Sequence, residues 1–182
     1  VAFNGAVYVG LDAKSLDAED LAFAQEHVRI LSGLYGLLRP LDAIEPYRLE
    51  MGAAFKTARG KSLYAFWGDA IAREAEKALK GHADRSIVNL ASAEYFSALA
   101  PAAIASRVVA PVFREEKDGK LRSLQFFAKR ARGMMARFAI RHRITRAEDL
   151  KSFDVEGYRF LEEGSSATEW LFARPQPPLK QK

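Results

Sequence analysis

Between Lys120 and Arg146 the chain carries nine of its 28 Lys and Arg residues and no Asp or Glu. Inside that run, Lys129-Arg130-Ala131-Arg132-Gly133-Met134-Met135-Ala136-Arg137-Phe138-Ala139-Ile140-Arg141-His142-Arg143 alternates cations with apolar residues at helical spacing. At 100° per residue, Phe127, Ala131, Met134, Met135, Phe138 and His142 share one arc. Arg130, Arg137 and Arg141 cluster together outside that arc, as do Lys129, Arg132 and Arg143. A helix of this kind has to lie with one side on a core. Its other side holds about six like charges, which repel one another unless something negative neutralises them. A phosphate backbone is one neutraliser, and acidic residues elsewhere in the fold are another. The sequence pattern leaves both open.

With 182 residues the chain can build one substantial core, and a single domain over residues 1–174 is expected. A net charge of +5 and a pI near 9.5 suit a nucleic-acid or anionic partner. The absence of Cys excludes disulfides, thiol redox chemistry and every Cys-based zinc site. His27, His82 and His142 lie far apart, no pair of them at the i, i+4 spacing of ligands on one helix face. No His-built metal site and no cofactor are expected, while a site made of carboxylates stays open. No stretch approaches 18 consecutive apolar residues, and the start lacks a basic-then-apolar signal pattern. The expectation is no membrane partner and a cytoplasmic location. Val1 at the start is what a processed or truncated chain would present.

Local signals predict a mixed order of elements. Asp17 caps a first helix with Leu21, Ala24, Val28 and Leu31 as its apolar stripe, and Gly33 and Gly36 end it. A second helix follows Pro40, and a third spans Leu63 to Leu79. Ser86 to Leu90 reads as a short strand, with Ser92 capping a helix through Tyr95 and Phe96. Arg107–Arg114 and Leu121–Phe127 read as strands around Lys117-Asp118-Gly119-Lys120, Asp-Gly being a strong hairpin cue. The basic helix follows. Tyr158–Leu161 and Trp170–Ala173 form a last pair across Gly164-Ser165-Ser166, and residues 175–182 form a proline-rich disordered tail. The sum is an α+β fold, a mixed single domain without the alternation of a doubly wound sheet.

Few enzyme motifs are present. Gly60-Lys61-Ser62 ends like a phosphate-binding loop, but the earlier glycine position holds Phe55, so that reading fails. Helix, Gly33-Leu34-Tyr35-Gly36 turn and helix in order would make a helix-hairpin-helix-like element, able to grip a phosphate with backbone N–H groups and Arg39. A plain packing joint explains the same residues. Tyr47, Arg48 and Glu50 lie in a polar stretch where Arg48 and Glu50 pair with each other or with Asp42, or else line a pocket. Asn89, Ser92 and Glu94 stand where a strand gives way to a helix, a common place for ligands. Ser92 is a helix cap rather than a nucleophile, because no Gly-x-Ser-x-Gly surrounds it.

Several segments together resemble the YaaA-like peroxide-stress protein family. They are Leu31-Ser32-Gly33-Leu34-Tyr35-Gly36-Leu37-Leu38-Arg39-Pro40-Leu41-Asp42 and Pro46-Tyr47-Arg48-Leu49-Glu50-Met51-Gly52, then Leu63-Tyr64 with Phe66-Trp67-Gly68-Asp69. Asn89-Leu90-Ala91-Ser92, Glu94-Tyr95-Phe96, Ala128-Lys129 with Ala131-Arg132-Gly133, and Gly157-Tyr158 with Phe160 follow in order. The resemblance implies a bacterial cytoplasmic protein that limits peroxide damage and iron availability, with a family-specific mixed fold. It also implies DNA binding in a basic cleft, a helix-hairpin-helix element and a link to DNA repair. The Ile-Ser-Pro-Ala-Lys type opening of that family has no counterpart here.

These readings converge on a DNA-binding protein of the oxidative-stress response, with no catalytic residues assigned. Lys129, Arg130, Arg132, Arg137, Arg141 and Arg143 would neutralise phosphates of double-stranded or structured DNA, and Gly33, Gly36 and Arg39 would grip one more. The alternative is an enzyme or iron-handling protein whose polar pocket uses Tyr47, Arg48, Glu50, Asn89, Ser92 and Glu94.

Overall fold

A computed structural model describes residues 3–178. The chain opens with α1 (Ala6–Leu11) and α2 (Ala18–His27). At the start of α2, Asp17 accepts from the Asp20 N–H at 2.8 Å while Asp20 accepts from the Asp17 N–H, a reciprocal cap. The helix ends at His27, well before the predicted glycines. Arg29 curls back there and donates to the carbonyls of Gln25, Glu26 and Val28 at 3.1, 3.1 and 2.8 Å, satisfying the open end.

Beyond Arg29 the chain forms β1 (Ile30–Ser32) and β2 (Gly36–Leu38), paired antiparallel with Ile30 opposite Leu38. The predicted helix-hairpin-helix is thus a β-hairpin. Neither does a helix follow Pro40: residues 39–62 hold no helix or strand, and Asp42 ties the turn by accepting from the Arg39 N–H at 2.8 Å. The cause lies in tertiary contacts. Ser32 is fully buried, accepts from the Tyr35 N–H at 2.9 Å and bonds the Tyr47 hydroxyl at 2.6 Å. Gly36 has φ +76°, and a Cβ there would lie 2.9 Å from ring carbons of Trp67. The Trp67 indole N–H donates to the Gly33 carbonyl at 3.0 Å, so one side chain clamps both ends of the turn.

The predicted long helix from Leu63 is two helices, α3 (Leu63–Trp67), capped by Ser62, and α4 (Ala70–Ala78), because Gly68 at φ +53° turns the chain between them. Next come β3 (Ser86–Val88), α5 (Ala93–Ser97) capped by Ser92, β4 (Arg107–Lys117), β5 (Lys120–Arg122), α6 (Gln125–Arg141), β6 (Arg159–Leu161) and β7 (Glu169–Pro175). Asp118 and Gly119, at φ +55° and +70°, turn β4 into β5. The strand predicted to reach Phe127 stops at Arg122, since the helix takes the chain from Gln125 on. β7 runs one residue into the predicted tail, and the Gln176 N–H donates to the Glu116 carbonyl at 2.8 Å. Residues 179–182 of that tail lie outside the described residues.

The larger sheet has the order β3-β4-β7-β6, with β5 on the far end of β4. β3, β4 and β7 are parallel, whereas β5 and β6 run antiparallel to their partners. α6 packs on one face, where Val109, Phe113, Trp170 and Phe172 meet Met135, Phe138, Phe153 and Tyr158. A second cluster of Met51, Leu63, Ile71, Ala98 and Leu99 joins the β1–β2 hairpin to α3, α4 and α5. The fold is α+β.

α1 lies against α6 at backbone contact. A Cβ on Gly133 would overlap the Val7 carbonyl, and one on Gly10 would overlap that of Arg130. Replacing a helical glycine by alanine ordinarily gains about 1 kcal/mol. At Gly133 the overlap with rigid backbone outweighs it, at a cost on the order of 1–3 kcal/mol. Gly133→Ala is therefore expected to lower the urea midpoint; an unchanged or higher midpoint would mean that α1 does not sit on α6 this closely.

Candidate nucleic-acid interface

Neutralisation of the basic helix comes mostly from within. Arg130 pairs with Glu156. Arg137 donates to the carbonyls of Leu11 and Asp12 at 3.2 and 3.1 Å, closing the end of α1, and its guanidinium lies 3.8 Å from the Asp12 carboxylate. Arg141 and Arg143 converge on the two oxygens of Asp20, at 2.7 and 2.6 Å. Asp17 and Glu19 stand behind them at 4.0 and 3.9 Å, and Arg143 also lies over the Phe23 ring at 5.5 Å. Asp20 is buried, and hydrogen bonds from Arg141 and then Arg143 hold its carboxyl at about 2. Its own bond to Asp20 raises the Arg141 guanidinium above its ordinary value. Four of the six predicted phosphate ligands thus fasten α1, α2 and the Val155–Gly157 turn to α6.

Lys129 and Arg132 make no ion pair among the described residues. Lys129 is exposed; Arg132 is half-buried, and burial lowers its pKa. The exposed cations Lys117, Lys120 and Arg122 on the β4–β5 turn, likewise without an ion pair among the described residues, lie just before α6 in the chain. From Lys120 through Arg132 no acidic residue intervenes. Leu121 and Phe126 are exposed among these charges, at 44% and 66%. Lys120 and Arg122 belong to the acid-free run that the sequence displays, but helical spacing drew the prediction to the other end of it.

Gly33 and Gly36 are buried and spent on the Trp67 clamp, and Arg39 pairs with Asp42 at 3.0 Å. That hairpin belongs to the second hydrophobic cluster and α6 to the first.

An unpredicted network lies behind α6. Glu115 is fully buried at the end of β4 and accepts from the Tyr158 hydroxyl at 2.5 Å. Arg174, on the adjacent β7, lies 3.7 Å from Glu115 and donates to Glu156 at 2.7 Å, sandwiched by Tyr158 and Phe127 at 4.4 and 5.0 Å. Burial, then the bond to Glu115, pushes the Tyr158 hydroxyl strongly up, which keeps it a donor. For Glu156 burial acts upward, but the bonds from Arg130 and Arg174 outweigh it and leave the carboxyl lowered. Arg174 stood at the edge of the predicted tail, where nothing local marks it as core.

The pocket residues gather only in part. Glu94 accepts from the Gly52 N–H at 2.8 Å, and the Tyr64 hydroxyl donates to its carbonyl at 3.1 Å. Burial raises Tyr95, and Tyr47, Glu94 and Glu50 raise it further, so these groups share a neighbourhood. Tyr8 joins them, pushed up to about 12 by burial and then by Tyr47 and Tyr95. Asn89 and Ser92 serve the backbone, accepting from the Ala91 and Tyr95 N–H groups at 3.0 and 3.4 Å. Arg48 and Glu50 are exposed and form no ion pair among the described residues, contrary to the expected pairing. His27 and His82, distant in sequence, meet edge to face at 4.7 Å. Among the described residues no group of three His, Asp or Glu side chains is placed to hold a metal ion, and no helix is long and apolar enough to cross a membrane.

The molecule is thus an α+β protein in which Lys117, Lys120, Arg122, Lys129 and Arg132, on one turn and the helix after it, form one of its groups of cations without an ion pair among the described residues, next to the exposed acids Glu116 and Asp118. Residues 1–164 match the family described as peroxide stress protein YaaA, and the chain belongs to that family. It is 59% identical over 177 residues to a UPF0246 protein of Phenylobacterium zucineum (strain HLK1), covering 97% of this chain and 66% of the relative. A UPF0246 protein of Maricaulis maris (strain MCS10) is 60% identical over 176 residues, covering 97% and 67%. One of Ralstonia pickettii (strain 12J) is 53% identical over 174 residues, covering 96% and 68%. The chain spans about two thirds of the length of these relatives.

Because the folded-state pKa of Asp20 lies below its ordinary 3.8, the stabilisation it brings is complete above that value and is lost as pH falls toward 2. Asp20→Asn should melt below the parent at neutral pH, with the two melting curves converging as pH drops from about 4 to about 2. A gap that persists at the acid end would show that the bridge to Arg141 and Arg143 is not its source.

Proposed function

We propose that this chain acts in the peroxide stress response by binding the phosphate backbone of DNA, through the β4–β5 turn and the first half of α6. One observation carries the reading: Lys117, Lys120, Arg122 and Lys129 are exposed, lie close together along the chain and form no ion pair among the described residues, outnumbering the exposed acids Glu116 and Asp118 of the same turn. Charges held this way gain most from a polyanion, since each phosphate contact releases a condensed counterion. Phosphate contacts place a nucleic acid without reading its bases, so binding tolerates sequence. Arg132 adds a partly desolvated cation on the same helix. Arg130, Arg137, Arg141 and Arg143 support the interface by holding α6 in place, and their own charge is largely spent.

The reading as an enzyme or iron-handling protein draws less support. Asn89 and Ser92 each fix local backbone and Glu94 accepts from the distant Gly52 N–H, leaving Arg48 and Glu50 of that group without a side-chain partner among the described residues.

Four engaged cations give a slope of log K against log salt of about −3 to −4. Lys120→Glu with Arg122→Glu should weaken binding to all sequences alike and flatten the slope by about 2 in fluorescence anisotropy. A slope near zero for the parent, or a double variant that binds as the parent does, would refute the interface.

A further inference from the structure

Phe126 is 66% exposed, more so than any other large apolar side chain among the described residues. It sits in the first turn of the 17-residue α6. Its neighbour Phe127 turns the other way, its ring beneath Arg174 at 5.0 Å, and the two rings lie edge to face with centroids 5.7 Å apart. Ala128, Ala131, Met134, Met135 and Phe138 take the buried side of the helix, which leaves Phe126 off the core. On the helix surface its neighbours three and four residues on are Lys129 and Arg130. On β5, Lys120 and Arg122 share one face of the strand, and Leu121, 44% exposed, points to the other. Phe126 therefore has cations beside it on its own helix, and Lys120 and Arg122 lie on the strand that only Ser123 and Leu124 join to that helix.

The cations select a polyanion and the aromatic ring selects a flat π-face, and one polymer supplies both. A closed duplex offers phosphates on the outside but hides the faces of its bases in the stack. Only unpaired nucleotides present a phosphate and an open base face together. We infer that this edge takes an unpaired stretch of DNA, with a base stacked on Phe126. The inference rests on the function proposed above and narrows it: the cations provide most of the attraction, while the ring discriminates single strands from duplex.

The test uses the full chain, a labelled oligothymidylate and a labelled duplex of equal length, read by fluorescence anisotropy over a salt series. Phe126→Ala should weaken binding of the oligothymidylate about tenfold, the low end of the range for losing one stacked base. It should leave the salt slope unchanged, because no phosphate contact is removed, and should change duplex binding little. Phe126→Trp should restore the affinity, and its indole emission should be quenched on binding. Phe126 is exposed, so neither variant removes a core contact. Oligothymidylate binding unaffected by Phe126→Ala, or lost in equal measure with duplex binding, would overturn the stacking role while leaving the backbone interface standing. A polyglutamate that binds as tightly, and competes with both DNAs, would overturn it in favour of an acidic protein partner. A parent chain that binds neither DNA would remove the proposed function itself.

Discussion

One buried carboxylate governs how the basic helix is used. Asp20 sits at the start of α2, accepts from Arg141 and Arg143, and closes its own helix through the Asp17 backbone. The end of α6 and the residues just after it would otherwise present two adjacent guanidiniums that repel each other and attract any passing polyanion. With Asp20 in place they become a fastening. Charged hydrogen bonds of this kind are among the stronger polar contacts in a protein, and removing the shared acceptor strands both donors. Arg137 at the end of α1 and Arg130 at Glu156 repeat the device along the helix. α6 is thus pinned on its polar side by ion pairs and on its apolar side by the sheet.

Pinning has a functional corollary. A helix held on both sides presents its remaining charges rigidly, and rigid cations lose less entropy on meeting an anion than mobile ones do. The cations left over lie toward the other end of the helix and on the β-turn that leads into it. Ion pairs therefore tie Arg130, Arg137 and Arg141 of α6 to the architecture and leave Lys129 and Arg132 without an ion pair among the described residues. The buried Glu115–Tyr158–Arg174–Glu156 network extends the pinning, since it joins β4, β7 and the Val155–Gly157 turn to Arg130.

What could be read from sequence follows the range of the interactions. The caps at Asp17 and Ser92 were legible because donor and acceptor lie within one helical turn of each other. The apolar arc of α6 was legible because periodicity is a local property, and Ala131, Met134, Met135 and Phe138 are indeed buried. The Gly33–Gly36 segment misled, because its conformation is set by Trp67 and Tyr47 on distant parts of the chain. From within the segment, glycines that receive a phosphate and glycines that receive an indole ring look alike. The counter-charges of Arg137, Arg141 and Arg143 come from Asp12, Asp17, Glu19 and Asp20, at the other end of the sequence. A count of charges shows that they exist, but not where they go. Arg174 is the converse: its burial follows from β7 pairing alongside β4, which no local pattern encodes.

On the function proposed, the charge of α6 is divided between architecture and ligand. Hydrogen–deuterium exchange of the full chain with and without a saturating oligonucleotide tests it most directly, because it locates the contact without altering any residue. Protection is predicted over the β4–β5 turn and the start of α6, residues 117–132, with residues 11–20 and 137–143 unchanged. Protection centred on residues 33–39 or 137–143, with the turn unaffected, would contradict the division.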